Sequence, residues 1–197
     1  MRKSILSADY DEMAYFSIIP IQRYWQRKRF QIIVNYALDI PFVLDVGCGS
    51  SVILRSHPHI VGMDISFPKL LYMRKYLVPL FRATIYTLPF KDKSFDGIIC
   101  SEVIEHIPDK RNWLKELTRV IKPGGYLILG TPDYGRPWWP IIEKIYGLVI
   151  PGGYEKEHIS PYKFVEIKEM FRVENIEIVS YKYIFGAELI ILARLPD

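Results

Sequence analysis

Short apolar runs alternate with amphipathic stretches along most of this chain. Residues 42–46 read as a strand that ends in a glycine turn, and 60–64 as a second strand that ends in a carboxylate. Ser66 predicts the cap of a helix running to about Val78, and 82–86 read as a third strand. A fourth, 95–101, is apolar on both faces, as a central parallel strand should be. From Asp109 onward, Trp113, Leu114, Leu117, Val120 and Ile121 fall on one helical face, and Lys122-Pro123-Gly124-Gly125 stops that helix before a fifth strand at 126–131. Two further runs, 176–184 and 187–194, are joined by little more than Phe185-Gly186. That link is too short for a parallel crossover and implies an antiparallel pair. Together with a helical region at about 12–38, the pattern predicts an α/β fold: a doubly wound, seven-stranded, mostly parallel sheet with one antiparallel strand.

Composition narrows the class. At 197 residues, 50% hydrophobic and with a formal net charge of +4, the chain is expected to be one domain spanning 1–197 and able to offset its ordering entropy. Cys48 and Cys100 lie inside apolar runs with no CxxC spacing, which suits a reduced cytoplasmic setting rather than a disulfide framework. Asp9, Asp11 and Glu12 interrupt the start before it can act as a signal peptide, and no apolar run approaches the roughly 20 residues of a membrane span. Ile and Tyr are abundant and the thermolabile amides Asn and Gln scarce, a bias expected of a thermophilic source.

Two residue groups carry the first candidate chemistry. The first strand's turn reads Asp45-Val46-Gly47-Cys48-Gly49-Ser50-Ser51, and the second strand ends Val61-Gly62-Met63-Asp64. In a doubly wound sheet a ligand sits at this end of the strands. The glycines let the backbone approach it, and the acid can accept both hydroxyls of a ribose. The segments VLDVGCGSS (43–51), VGMDIS (61–66), LPFKDKSFDGIICSEVIEHI (88–107), ELTRVIKPGGYLILGTPD (116–133) and EHIS (157–160) follow in order. In that order and spacing the chain resembles the class I S-adenosylmethionine-dependent methyltransferases. The resemblance implies S-adenosylmethionine as cofactor, with Asp45, Gly47, Cys48 and Gly49 framing its methionine part. It also implies Asp64 on the ribose, Ile65, Thr84 and Ile85 around adenine, and Ser101 near the ammonium. Three departures stand out: Ser51 replaces the family's third glycine, Thr84 replaces the adenine-binding acid, and the stretch between Gly49 and Asp64 is short enough to trim the first helix.

A sulfonium is already an activated leaving group, so methyl transfer mainly needs the acceptor held in line about 3–3.5 Å away with water excluded. Where a base is needed, Glu105 and His106 after the fourth strand, and His158 in the EHIS segment, are the candidates. His57 and His59 flank Pro58 without a third ligand at sensible spacing and read as a surface turn. Residues 1–38 carry six basic against three acidic side chains and form a helical cap; within it, 23–30 alternate basic and aromatic residues. Residues 134–160 form a substrate-side insertion whose Trp138, Trp139 and aliphatics suit an apolar acceptor, a bilayer surface or another subunit, a homodimer included. One basic helix is not a duplex-reading module, so nucleic acid is not expected as acceptor. The expectation is therefore methyl transfer to a small-molecule, glycan or lipid-linked acceptor. The alternative is a cofactor-binding, non-catalytic partner subunit of a methyltransferase complex.

Overall fold

A computed structural model describes residues 7–109, 112–139, 142 and 159–197. Seven strands form one sheet: β1 (Val43–Val46), β2 (Ile60–Asp64), β3 (Leu80–Arg82), β4 (Phe95–Ser101), β5 (Ile121–Pro132), β6 (Glu177–Ile184) and β7 (Glu188–Arg194). Their order is β3-β2-β1-β4-β5-β7-β6, which reverses direction of travel between β1 and β4. All neighbours pair in parallel except at β7, which is antiparallel to both β5 and β6. The β6–β7 link is the three residues Phe185 to Ala187, with φ of 49° at Phe185 and 66° at Gly186 and Ala187 N donating to Ile184 O at 3.0 Å, the backbone twist that suits a tight hairpin.

Alternation along the strands feeds two apolar layers. Leu44, Val46, Ile98, Cys100, Leu127, Leu129, Leu189 and Ile191 point to one face, where α4 (Asn112–Val120) adds Trp113, Leu114 and Leu117 and α5 (Phe164–Val173) adds Ile167 and Phe171. Val43, Ile99, Ile128 and Ile190 point to the other, met by Ile32, Ile33 and Ala37 of α2 (Pro20–Ala37) and by Leu70 and Met73 of α3 (Phe67–Met73). Both faces are therefore covered, which is why β4 reads as a continuous apolar run. A short helix α1 (Tyr10–Tyr15) precedes α2, whose Pro20 pre-sets φ at its first turn. Among the described residues, no helix is long and apolar enough to cross a membrane.

Three local expectations need correction. The third strand is Leu80–Arg82 rather than 82–86; 84–87 instead close a turn in which Thr84 Oγ1 accepts from Tyr86 N at 3.0 Å. Ser66 stands at the α3 N-cap without a side-chain cap bond, and α3 ends at Met73 in a 3-10 turn, Arg74–Tyr76, closed by Leu77 at φ 58°. Lys122 to Gly125 do not separate helix from strand: β5 begins at Ile121, and the four residues bulge between its pairings with Phe95 and Gly97. The trimmed first helix is seen as one 3-10 turn, Val52–Arg55, held by Ser51 Oγ accepting from Ile53 N at 3.2 Å.

Candidate active site

The glycine turn is shaped by two backbone conformations that L side chains rarely adopt, φ 71° at Gly47 and 52° at Gly49. A Cβ on Gly47 would overlap Val103 Cγ2, and one on Gly49 would come within 2.5 Å of Asp11 Oδ2. Gly47 N and Cys48 N both donate to Met63 O, at 2.7 and 3.0 Å, locking the turn to the end of β2. Asp64 then spans the gap, its Oδ2 accepting from Gly49 N and its Oδ1 from Ser66 N, each at 2.7 Å.

This turn floors a cavity of about 600 Å³ at the carboxyl ends of β1, β2 and β4. Asp45, Gly47, Cys48, Gly49, Asp64, Ile65, Thr84, Ile85 and Ser101 all line it. Asp45 is 3% exposed and its Oδ2 has no hydrogen-bond partner among the described residues. Burial pushes its carboxyl well above the usual range, and the neighbouring Asp64 and Asp11 carboxylates push the same way. Three acids thus share one wall with Lys69 as the cation in contact, 3.2 Å from Asp11 Oδ2. A ligand that brings positive charge to Asp45 and hydroxyls to Asp64 fits this donor set. S-adenosylmethionine, with its ammonium, sulfonium and ribose, has that chemistry.

The N-terminal segment contributes more than a basic face. Asp11 of α1 reaches the glycine turn, its Oδ2 accepting from both Ser50 N and Ser50 Oγ at 2.9 Å. Glu12 accepts from Tyr72, Lys75 and Tyr76. Tyr15 lines the cavity with Arg27 over its ring, 5.5 Å from the centroid. Trp25 instead donates its indole N–H to Glu188 and packs against Phe185 and Trp139.

A second pole lies across the cavity from Asp64, beyond Ser101. Arg29 forks onto the fully buried Glu188 through Nε at 2.5 Å and Nη2 at 2.8 Å, and Nη2 also meets Glu102 Oε2 at 3.1 Å. Glu102, Arg29 and Gln26 line the cavity, and Gln26 Oε1 accepts from Arg29 Nη1 at 3.1 Å. The contacts of Glu102, Glu188 and Asp11 carry no local sequence signal, because each acts on a residue remote in the chain.

The base candidates separate. His106 lines the cavity. Glu105 does not: it has no exposed surface, and Thr131 Oγ1 donates to its Oε2 at 3.2 Å. In the 3-10 turn Ile104–His106, Ile104 and Glu105 face inward and His106 outward, so neighbours in sequence reach different environments. Burial pushes the Glu105 carboxyl up to about 8, so it holds its proton at neutral pH. Its carbonyl accepts from Ile159 N and Ser160 N at 3.0 Å, joining the 88–107 and 157–160 segments. His158 lies outside the described residues. At His57 both ring nitrogens are engaged, Nε2 with Ile40 O at 2.9 Å and Nδ1 with His59 N at 3.2 Å.

Comparison with known proteins decides what this cavity belongs to. A family model described as "Methyltransferase domain" matches residues 44–129, the stretch from the glycine turn through β5. Residues 44–129 thus carry a methyltransferase domain, and the chain as a whole is similar to S-adenosylmethionine-dependent methyltransferases. This methyltransferase is 28% identical over 194 residues to the ubiquinone/menaquinone biosynthesis C-methyltransferase UbiE of Shewanella baltica, covering 91% of this chain and 70% of that protein. Solved structures share its fold. The PH0226 protein of Pyrococcus horikoshii aligns with a TM-score of 0.70 at 20% identity, over 89% of this chain and 92% of that one. A S-adenosylmethionine-dependent methyltransferase of Thermotoga maritima aligns with a TM-score of 0.68 at 21% identity, over 95% and 99%.

Proposed function

We propose that this methyltransferase transfers a methyl group from S-adenosylmethionine to a small-molecule or lipid-linked acceptor that enters beside Glu102 and His106. The single observation that carries the reading is the cavity, with its cation-seeking Asp45 and hydroxyl-seeking Asp64 at one end and the Arg29–Glu102 pair at the other. Bound S-adenosylmethionine supplies a methyl group on a positively charged sulfur. In this reading Asp45 accepts from the ammonium, Asp64 from the ribose hydroxyls, and Ile65, Thr84 and Ile85 border the adenine. Gly47 and Gly49 keep side chains out of the methionine part. The likeness to quinone-pathway C-methyltransferases favours an aromatic, prenylated acceptor.

Surface chemistry supports a lipid-linked partner. Ile21, Tyr24, Trp138 and Phe185 are all more than half exposed, and Tyr24 packs on Phe185 with ring centroids 5.2 Å apart. That apolar rim, beside Arg23, Arg27 and Lys28, suits contact with a bilayer surface. A reducing cytoplasm fits Cys48 and Cys100, both free and buried. The test is transfer of tritiated methyl from S-adenosylmethionine to demethylated naphthoquinols and phenols, soluble and long-chained, with products separated by organic extraction. Extractable label that Asp64→Ala abolishes is expected. Protein that binds S-adenosylhomocysteine yet labels no acceptor in the panel refutes the reading.

A further inference from the structure

We infer that Glu102 is the general base of the reaction, and that the acceptor is therefore a weak O–H or N–H acid, such as a phenol, delivered neutral and deprotonated in the site. The inference rests on the methyltransferase reading above and names the acceptor's chemistry within it.

Three observations place Glu102 in this role. Its backbone takes φ 58° directly after β4, an uncommon conformation for a residue with a side chain, and Glu102 N donates to Gly130 O at 2.9 Å to hold it. That twist turns the side chain out of the strand's alternation and into the cavity wall beside Ser101. One carboxyl oxygen, Oε2, is fixed by Arg29 Nη2, while Oε1 is shielded from solvent and has no hydrogen-bond partner among the described residues. The third observation is the anchoring of Arg29 itself, forked onto Glu188, which Trp25 also contacts, so the guanidinium cannot swing over to satisfy Oε1. A buried acceptor left open in a rigid frame is poised to take a proton.

The charges around it set when it does so. Facing Glu102 are Arg29 from α2, Glu188 from β7, and Glu105 and His106 from the turn that follows. Burial pushes its carboxyl up; Arg29 opposes this, and Glu188 and Glu105 reinforce it. A carboxylate held above its ordinary range matches the proton affinity of a phenol better than a solvated one does. In the step itself the acceptor's O–H proton passes to Glu102 Oε1. The freed electron pair, on oxygen or conjugated to a ring carbon, forms the bond to the methyl carbon, and the sulfur keeps the pair of the bond it loses. For attack at carbon, the resulting dienone loses its ring proton to water while its oxygen regains the proton held by Glu102, which restores the aromatic phenol and the free carboxylate. Arg29 acts on Glu102 without touching the acceptor, and is a positioning residue.

The experiment has two independent arms on the full chain. In the first, glutamate carboxyls are labelled with ¹³C and titrated in the S-adenosylhomocysteine complex, with the Glu102 signal identified by its loss in Glu102→Gln. A midpoint above the ordinary glutamate range, moving higher in Arg29→Gln or, should that variant fail to fold, displaced in Arg29→Lys, is expected; an ordinary midpoint overturns the inference whatever the acceptor. In the second, single-turnover methyl transfer to a short-chain demethylated naphthoquinol is followed from pH 5.5 to 9. Wild type should rise with pH to a plateau. Glu102→Gln should bind S-adenosylhomocysteine within threefold of wild type yet react about 100-fold more slowly at pH 7, with a rate that keeps rising where wild type has levelled. Glu102→Asp should recover part of the loss. An unchanged rate, an unchanged profile, or a collapse in S-adenosylhomocysteine affinity in Glu102→Gln overturns it. Absence of any transfer by wild type, with a raised Glu102 midpoint, refutes the proposed acceptor class and spares the assignment of the carboxylate.

Discussion

Replacing Asp45 by Asn should stabilise the ligand-free protein and weaken cofactor binding at once. The carboxylate is 3% exposed, one oxygen is unpartnered, and both nearby acids, Asp64 and Asp11, repel its charge. A buried polar group left unsatisfied costs about 1–3 kcal/mol, and a charged one more. Asn keeps the shape and removes the charge, so we expect a gain of about 1–2 kcal/mol, or roughly 2–4 °C in Tm per kcal/mol for a chain of this length. The sign follows from the raised carboxyl: whatever the protonated form contributes is present below the ordinary aspartate range and is lost as pH rises through the raised folded-state value. The advantage of Asp45→Asn should therefore grow with pH over that window and then level. Cofactor binding should move the other way. Losing a charge-assisted hydrogen bond of about 1.5–3 kcal/mol corresponds to roughly 10- to 150-fold in Kd. Scanning calorimetry from pH 4 to 9, paired with titration of S-adenosylmethionine at each pH, checks both halves. An Asp45→Asn protein that is less stable without ligand and binds within twofold of wild type would refute the reasoning.

Further substitutions probe the surrounding frame. Arg29→Ala leaves Glu188 buried without its cation and should cost about 3–5 kcal/mol in urea unfolding, with Arg29→Lys in between. Gly47→Ala combines a strained φ with overlap at Val103, so it should abolish detectable S-adenosylhomocysteine binding by calorimetry, and trimming Val103 to Ala alongside should not restore it. Burial pushes the Glu12 carboxyl up, but hydrogen bonds from Lys75, Tyr72 and Tyr76 outweigh it and bring it down to about 2. The tethering of α1 should then hold above about pH 4.5 and fade towards pH 2, a transition visible in tyrosine fluorescence and absent in Glu12→Gln. The amide-poor composition predicts a Tm above the 45–65 °C usual for mesophile domains, measurable in a single thermal scan.

How much could be read beforehand depended on whether the physics was local. β2 and β4 coincide with their expected limits because each is a run buried on both faces and bounded by polar residues. β3 slipped because it is an edge strand with two of three residues exposed, so no burial pattern marks it; its position comes from pairing with β2. The glycine turn and Asp64 were legible since they lie within 20 residues of each other. The Arg29–Glu188–Glu102 cluster was not, since a buried ion pair between distant charges looks, in one dimension, like three ordinary surface residues. Asp11 had been weighed only as an interruption of a leader-like start, yet it bonds Ser50 at the glycine turn. The 3-10 turn that divides Glu105 from His106 likewise has no sequence signal of its own.

The place of β7 in the sheet bears on how the protein is made. The last strand in the chain inserts between β5 and β6, and its first residue is Glu188, 159 positions after the arginine it holds. During synthesis the glycine turn, β2 and β4 can assemble while the chain is still growing, but the Arg29–Glu102 end of the cavity cannot. Until the hairpin at Phe185-Gly186 closes and β7 docks, Arg29 lacks its carboxylate anchor and the β5 edge stays open. Maturation of the active site is thus tied to the slowest class of folding event, long-range strand insertion. Nascent chains stalled before residue 188 should already hold the nucleoside end of the site in outline while remaining unable to methylate.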